Sequence, residues 1–147
     1  MEQIVYDLNC KFCEIATKEV DSYIVFEDEV SLAFLDIRPL FPGHTLLIPK
    51  KHYETLSDLP VDLIATVFKN VKLLDMAIKQ ALKSDGTFIA INNKVSQSIP
   101  HLHVHIVPRR KGDGLTGFFW PRNPYKDKEE ILKIQQMVKE ALKSIKL

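Results

Sequence analysis

The fold is decided by the stretch Pro100-His101-Leu102-His103-Val104-His105-Ile106-Val107-Pro108, in which imidazoles alternate with aliphatic side chains. Strict alternation with a period of two residues is typical of a half-buried β-strand. His101, His103 and His105 are therefore expected on one face of a strand, with the aliphatic residues in a core on the other face. Pro108 cannot donate a hydrogen bond to a neighbouring strand, so we expect the strand to end there.

The composition is that of one globular domain without a strongly charged surface. The chain has 147 residues, 46% of them hydrophobic, and 20 Lys and Arg residues against 19 Asp and Glu residues give a net charge of +1. This balance does not favour a nucleic-acid polymer or a membrane surface as a partner. The lack of a long apolar run and of a basic-then-apolar leader favours a soluble, cytoplasmic protein.

The rest of the chain predicts further strands and two main helices. Asp28-Glu29 separates two strand-like runs and indicates a hairpin turn. A long amphipathic helix is expected from about Pro60 to about Lys83, and Asp127 with Glu130 has the form of a capping box for a final helix. Strands are predicted at residues 23–27, 30–35, 44–49, 87–91 and in the histidine stretch. We therefore predict a single α+β domain over residues 1–147, with a mostly antiparallel sheet.

Three imidazoles on one face indicate a functional site rather than ordinary packing. A neutral imidazole has one donor and one acceptor, and three of them are hard to satisfy in an apolar core. Imidazoles bind metals well, and they also act as nucleophiles and acids near neutral pH. Ser96, Gln97 and Ser98, just before the strand, could donate to phosphate oxygens. A metal site and a phosphoryl-transfer site both stay open at this point.

The histidine stretch resembles the signature of the histidine triad (HIT) family, in which three histidines alternate with hydrophobic residues. Two upstream blocks are similar to blocks of the same family and come in the same order: residues 33–39 (Ala-Phe-Leu-Asp-Ile-Arg-Pro) and residues 42–52 (Pro-Gly-His-Thr-Leu-Leu-Ile-Pro-Lys-Lys-His). The resemblance covers residues 10–108 and leaves residues 109–147 as a C-terminal extension. It implies the HIT-like fold and a two-fold homodimer in which the sheets of both chains join.

The resemblance also implies a catalytic activity. The expected enzyme is a hydrolase that cleaves nucleotide conjugates, such as dinucleoside polyphosphates, at the α-phosphate. His103 would be the nucleophile that takes the nucleotidyl group, His105 would contact the phosphate and help protonate the leaving group, and His101 would support the site. Histidine at position 105 is similar to the hydrolase branches of the family, whereas the transferase branches have glutamine there.

Substrate contacts are implied at four further positions. Asp36 matches the carboxylate that accepts hydrogen bonds from the ribose hydroxyls. Asn93, or its neighbour Asn92, matches an amide near the phosphates, and Gln97 and Ser98 match the donors to phosphate oxygens.

Two cysteines spaced as Cys10-Lys11-Phe12-Cys13 indicate a metal or redox motif in a reducing compartment. A tetrahedral zinc site needs two more ligands. By resemblance to zinc-containing members of the family, these would be His52 and His101, which gives a structural zinc site. His44 is a lesser candidate ligand and is interpreted as a hydrogen-bonding residue of its loop.

Several alternatives stay open. The three histidines of the strand could hold a catalytic metal that activates water. The activity could be that of a nucleoside phosphoramidase or a nucleotidyltransferase, or the chain could be a nucleotide-binding regulatory module. Trp120 could cover the base or the leaving group, although a core or dimer contact is favoured for it.

Overall fold

The computed structural model describes residue 7, residues 9–115 and residues 122–147. Its centre is a five-stranded antiparallel sheet with the order β1-β2-β3-β5-β4. The strands are β1 (Ile24–Glu27), β2 (Ser31–Leu35), β3 (Thr45–Pro49), β4 (Gly86–Ile91) and β5 (Val104–Arg109). The α+β class and the antiparallel sheet are thus as the sequence predicts.

The histidine strand differs from the prediction at both ends. β5 begins at Val104, so His101 and His103 lie in the extended segment that enters it. At the other end the strand passes through Pro108, which pairs with Thr87 of β4. Pairing with β3 stops at Ile106, so Pro108 has a strand on one side only and its missing N–H disrupts no second ladder.

The predicted alternation of faces is confirmed. The long helix α2 (Val61–Leu82) covers one face of the sheet, and its buried residues pack there with Leu102, Val104 and Ile106. The short helix α1 (Lys11–Ala16) covers the other face, where its apolar side chains join Leu32, Phe34, Leu46 and Ile48. The three histidines therefore lie on the α1 side of the sheet.

A buried amide fixes α2 to the hairpin between β1 and β2. The Asn70 side chain, only 1% exposed, donates to Asp28 Oδ2 at 2.6 Å and to Ser31 Oγ at 2.7 Å. Asp28 Oδ1 also accepts from the backbone N–H groups of Val30 and Ser31 at 2.9 and 2.8 Å. These bonds hold the predicted Asp28-Glu29 turn and set the register of the hairpin.

Residues 112–147 form a second compact unit, which contains α3 (Lys128–Ser144). The predicted cap is present, since Asp127 Oδ1 accepts from the N–H of Glu130 at 2.8 Å. The Glu130 carboxylate accepts from Lys126 N–H rather than from Asp127, so only half of the capping box forms as expected.

Trp120, and the aromatic segment 118–121 around it, lie outside the described residues. None of the helices in the described ranges is long and apolar enough to cross a membrane.

Candidate active site and metal centre

A cavity of about 510 Å³ opens on the α1 side of the sheet. Its floor follows one row of the sheet, because His105 pairs with Leu46 and Leu46 pairs with Phe34. Directly opposite residues in an antiparallel sheet project to the same face. His103, His105, Asp36 and Ser98 line this cavity together with apolar residues of α1. Asp36 and His105, which are 69 positions apart in the chain, therefore meet at one site.

His103 is held as a neutral imidazole with a defined tautomer. Its Nδ1 lies 2.7 Å from the backbone carbonyl oxygen of His101, so Nδ1 carries the proton and donates. Burial lowers the pKa of His103, with the carbonyl of His101 and Asp36 opposing that shift. The edge of the Phe12 ring packs against the imidazole, with ring centroids 5.1 Å apart. Nε2 is therefore left with its lone pair, which is the state that a nucleophile requires.

His105 has the opposite tautomer, and His44 sets it. The N–H of Leu40 donates to His44 Nδ1 at 3.1 Å, so the proton of the neutral His44 ring is on Nε2. His44 Nε2–H faces His105 Nδ1 at 2.9 Å and donates to it. The proton of His105 is therefore on Nε2, a buried atom that has no hydrogen-bond partner within the described part of the chain.

Burial also keeps both of these rings uncharged. Desolvation, with the neighbouring His103 and His44, lowers the pKa of His105 to about 4, and desolvation lowers the pKa of His44. His44 Nδ1 lies 3.8 Å from Asp36 Oδ2. This contact is not an ion pair, because the same nitrogen accepts the N–H of Leu40 and the ring is neutral near pH 7. His105 thus presents the N–H of a neutral ring next to His103. The centroids of the two rings are 4.9 Å apart.

Asp36 lies on the same cavity, at the end of β2. Its Oδ1 accepts from the N–H of Arg38 at 2.9 Å, which fixes the orientation of the carboxylate. Its backbone N–H donates to His44 O at 2.9 Å, so the segment that carries Asp36 is held to the segment that carries His44. Oδ2 has no hydrogen bond within the described residues and faces the cavity, and its contact with ribose hydroxyls stays a prediction.

The predicted phosphate-side residues are divided between two locations. Ser98 lines the cavity, as expected. Asn93 and Gln97 are not among the lining residues. Asn93 Oδ1 accepts from Leu56 N–H at 2.9 Å, while the Gln97 side chain bonds the backbone of Lys94 and of Glu54. These two side chains fix the loop before β5, and their direct contact with substrate stays a prediction.

A second cluster lies next to the histidines. Cys10, Cys13, His52 and His101 place one ligand atom each within 4.8 Å of one another. His101 Nδ1 is 3.4 Å from Cys10 Sγ and 3.5 Å from Cys13 Sγ, and His52 Nδ1 is 3.3 Å from Cys13 Sγ. A tetrahedral zinc ion with bonds of about 2.3 Å to sulfur and about 2.0 Å to nitrogen separates its ligand atoms by roughly 3.3–3.8 Å. The cluster has the dimensions and the donor set of a Cys2His2 zinc site.

The tautomer of His101 also fits a metal. Nε2 lies 2.8 Å from the carbonyl oxygen of Pro49 and donates to it, which leaves Nδ1 without a proton and directed at the two thiols. A backbone carbonyl on the distal nitrogen is the usual support of a ligating histidine. Burial raises the pKa of Cys13 to about 11, so metal binding there would displace a proton.

One functional feature was not identified from the sequence. From the sequence, His44 is interpreted as a residue that bonds within its loop, and the His44 ring does accept a hydrogen bond from Leu40 N–H. Its second contact, with His105, crosses from the start of β3 to β5. The antiparallel β3-β5 pairing would have revealed it, but strand order cannot be read from hydrophobic patterns alone.

The five-stranded sheet and the strand of alternating histidines define a protein of the histidine triad class. The HIT domain family profile matches residues 17–112. The chain is 45% identical over 107 residues to an uncharacterized HIT-like protein of Methanocaldococcus jannaschii, covering 71% of this chain and 82% of that protein. The chain belongs to the HIT family, a family of nucleotide-binding hydrolases.

Two relatives carry enzyme names. Adenylylsulfatase HINT3 of Arabidopsis thaliana is 39% identical over 109 residues, which are 73% of this chain and 55% of that protein. A bis(5'-nucleosyl)-tetraphosphatase of Schizosaccharomyces pombe is 33% identical over 96 residues, which are 64% of this chain and 53% of that protein. The chain therefore spans about half the length of either enzyme.

Solved structures agree with the fold, and one of these proteins binds zinc. A Streptococcus mutans protein superposes with a TM-score of 0.82 at 33% identity, covering 96% of this chain and 88% of that one. A zinc-bound histidine triad family protein of Mycobacterium smegmatis superposes with a TM-score of 0.70 at 34% identity, covering 91% of this chain and 98% of that one.

Proposed function

We propose that the chain hydrolyses nucleotide conjugates at the α-phosphate through a covalent nucleotidyl intermediate on His103. The observation that supports this most directly is the pair of opposite tautomers. His103 is left with a lone pair on Nε2, while His105 offers an N–H, and both rings line the same cavity. Attack at phosphorus requires the free lone pair, and the N–H donor beside it stabilises the charge that develops on the departing atom.

The first step forms one bond and breaks one. His103 Nε2 attacks the α-phosphorus, and the bond from phosphorus to the leaving group breaks. His105 Nε2–H donates a hydrogen bond to the departing atom and stabilises the negative charge that develops there, and this atom takes any proton it needs from the solvent. The Asp36 carboxylate holds the ribose hydroxyls, and Ser98 with its neighbouring backbone donates to the phosphate oxygens.

The second step restores the enzyme. A water molecule attacks the same phosphorus, and the bond between phosphorus and His103 Nε2 breaks. The proton that the water loses passes to the solvent, and His105 Nε2–H stays hydrogen-bonded to the phosphate. The nucleoside monophosphate leaves, and both histidines have their starting tautomers because the carbonyl oxygen of His101 and His44 Nε2–H still hold them.

We propose dinucleoside polyphosphates as the first substrate class to test. The tetraphosphatase name of the Schizosaccharomyces pombe relative supports this class. The adenylylsulfatase name of the Arabidopsis thaliana relative favours a second candidate, a mixed anhydride of a nucleoside monophosphate. The same two steps apply to both substrates and to a phosphoramidate, because only the atom that leaves phosphorus differs.

We further propose that Cys10, Cys13, His52 and His101 bind one structural zinc ion. The spacing of their ligand atoms and the zinc-bound Mycobacterium smegmatis relative support this assignment. When bound, zinc would fix α1 to the segment that enters β5. Zinc would affect catalysis only by positioning His103, since the carbonyl oxygen of the zinc ligand His101 accepts a hydrogen bond from His103 Nδ1–H. The homodimer and the cytoplasmic location stay predictions.

The test is hydrolysis of diadenosine tetraphosphate, adenylyl sulfate and adenosine 5'-phosphoramidate, followed by chromatography of AMP. We expect the parent protein to release AMP from at least one of them, and His103→Ala to lose that activity by at least a thousandfold. Lys72→Gln, on the exposed side of α2, is the matched control. Release of AMP by His103→Ala at the parent rate would refute the nucleophile, and no release by the parent protein would refute the proposed activity.

A further inference from the structure

The cavity extends well beyond the two histidines that act at phosphorus. Along its floor, Leu46 pairs with Phe34, and Phe34 pairs with Ile24 of β1. Neighbouring strands lie about 4.8 Å apart, so three spacings separate β5 from β1 by about 14 Å. Residues that enter β1 therefore lie at the end of the cavity opposite His105. With the reach of the side chains subtracted, that span suits a nucleoside monophosphate with its base at the β1 end.

The apolar walls beside His103 and along β2 suit a flat ring. Phe12, Ile15 and Phe34 line the cavity, and the Phe12 and Phe34 rings meet edge to face with centroids 5.4 Å apart. An aromatic base buried between such side chains is held by dispersion and by the removal of apolar surface from water. These contacts are the same for any purine, so they do not select one base.

Three polar side chains that line the same cavity can select a base. Asp21 and Ser22 lie just before β1, and Lys11 precedes Phe12 in α1. The Ser22 hydroxyl oxygen is buried and has no hydrogen-bond partner in the described ranges. The Lys11 ammonium and the Asp21 carboxylate are on the exposed rim, and within residues 9–115 neither takes part in an ion pair or a side-chain hydrogen bond. A cation, an acceptor and a hydroxyl are thus available to a ligand.

We propose that this end of the cavity selects guanine over adenine, an inference that rests on the proposed nucleotide hydrolysis. Guanine presents two adjacent donors, N1–H and the N2 amino group, beside the acceptor O6. A carboxylate can accept both donors at once, and an ammonium group can donate to O6. Asp21 and Lys11 supply that pair of groups, and the Ser22 hydroxyl can bond a further ring atom.

Adenine presents the reverse pattern on the same edge. Its N1 is an acceptor, so its lone pair would face the Asp21 carboxylate, and its amino group would face the Lys11 ammonium. Bonds to charged groups at a partly exposed rim discriminate less than bonds in a closed pocket. We therefore expect a preference of about tenfold in kcat/KM.

The experiment compares three nucleoside 5'-phosphoramidates that share one leaving group: guanosine, inosine and adenosine. The expected order of kcat/KM is guanosine, then inosine, then adenosine, because inosine keeps N1–H and O6 but lacks the N2 amino group. Asp21→Asn should lower the guanosine value about tenfold, to near the adenosine value. Asp62→Asn, an exposed carboxylate on α2, is the matched control and should keep the parent order.

Binding separates this inference from the proposed activity. Calorimetric titration of His103→Ala with GMP and with AMP measures base preference without turnover, and tighter binding of GMP by about tenfold is the expected result. Equal affinities for the two nucleotides, or a preference for guanosine that survives in Asp21→Asn, would overturn the inference. If no substrate is hydrolysed but GMP is still preferred, the hydrolase proposal fails and the base preference stands.

Discussion

Asn70→Ala should destabilise the protein more than any exposed substitution on α2. Asn70 is almost completely buried, and its amide donates to the Asp28 carboxylate at 2.6 Å and to the Ser31 hydroxyl at 2.7 Å. Alanine removes both donors and leaves buried acceptors without them. The turn between β1 and β2 would then lose its attachment to the helix that covers the sheet.

The magnitude follows from the kind of each bond. A hydrogen bond to a charged group contributes about 1.5–3 kcal/mol and a neutral one about 0.5–1.5 kcal/mol. Alanine is a better helix former than asparagine, which returns about 0.5 kcal/mol. We therefore expect the free energy of unfolding to fall by about 2.5 kcal/mol at neutral pH.

The pH dependence of this loss has a definite sign. Burial opposes ionisation of Asp28, but hydrogen bonds from Ser31, Asn70 and Val30 outweigh it and lower the pKa below the ordinary 3.8. The stabilisation is present above the unfolded pKa and is lost as pH falls through the folded pKa. The difference between parent and Asn70→Ala should therefore shrink as the pH falls below the ordinary Asp pKa of 3.8.

The assay is guanidinium unfolding of the parent, Asn70→Ala and the exposed control Lys72→Ala, at neutral and at acidic pH. Lys72→Ala should change stability by no more than about 0.5 kcal/mol. A loss below about 1 kcal/mol for Asn70→Ala at neutral pH, or an equal loss at both pH values, would refute the assigned hydrogen bonds.

Three further predictions concern the metal cluster, the His105 tautomer and one glycine. Chelation of zinc, or Cys13→Ser, should lower Tm by about 8 °C. Zinc at a hundred times its Kd contributes about 2.7 kcal/mol to stability, and each kcal/mol shifts Tm by about 3 °C in a chain of this size. An unchanged Tm and zinc content would contradict the proposed zinc site. His44→Phe removes the N–H that faces His105, so kcat should fall about tenfold while KM changes by no more than about twofold. His44→Gln keeps a donor and should recover part of the lost kcat. Equal kcat in both variants would argue against the tautomer assigned to His105. Gly43 has φ +98° and a Cβ there would overlap Leu82, so Gly43→Ala should lower the free energy of unfolding by about 1–2 kcal/mol. A Cβ at Gly86 meets no atom, so Gly86→Ala should be neutral or slightly stabilising. Equal calorimetric Tm values for the two variants would contradict this difference.

Much of the fold could be predicted from local patterns. The alternation around His103 gave the two faces of β5, because a period of two residues allows no other arrangement for a half-buried strand. The apolar repeat of α2 gave its length to within a few residues. The start of β5 could not be predicted, since the same alternation continues through the extended residues His101 to His103, where pairing with β3 has not yet begun.

The site could be predicted only in part. Resemblance to a known family placed Cys10, Cys13, His52 and His101 together, and the four ligand atoms do converge. The tautomers could not be predicted, because they depend on a carbonyl oxygen and a ring nitrogen brought close by strand order. The side-chain bonds of Gln97 were also out of reach, because a loop amide can satisfy its own turn as readily as a ligand.

The most direct test of the central claim is intact-mass analysis after rapid, acid-free quenching of the protein mixed with diadenosine tetraphosphate. We expect a transient adenylyl adduct that maps to His103 and is absent from His103→Ala, together with AMP release by the parent protein only. AMP released without an adduct at any quench time, and lost on chelation, would contradict the covalent mechanism and favour water activated by a metal.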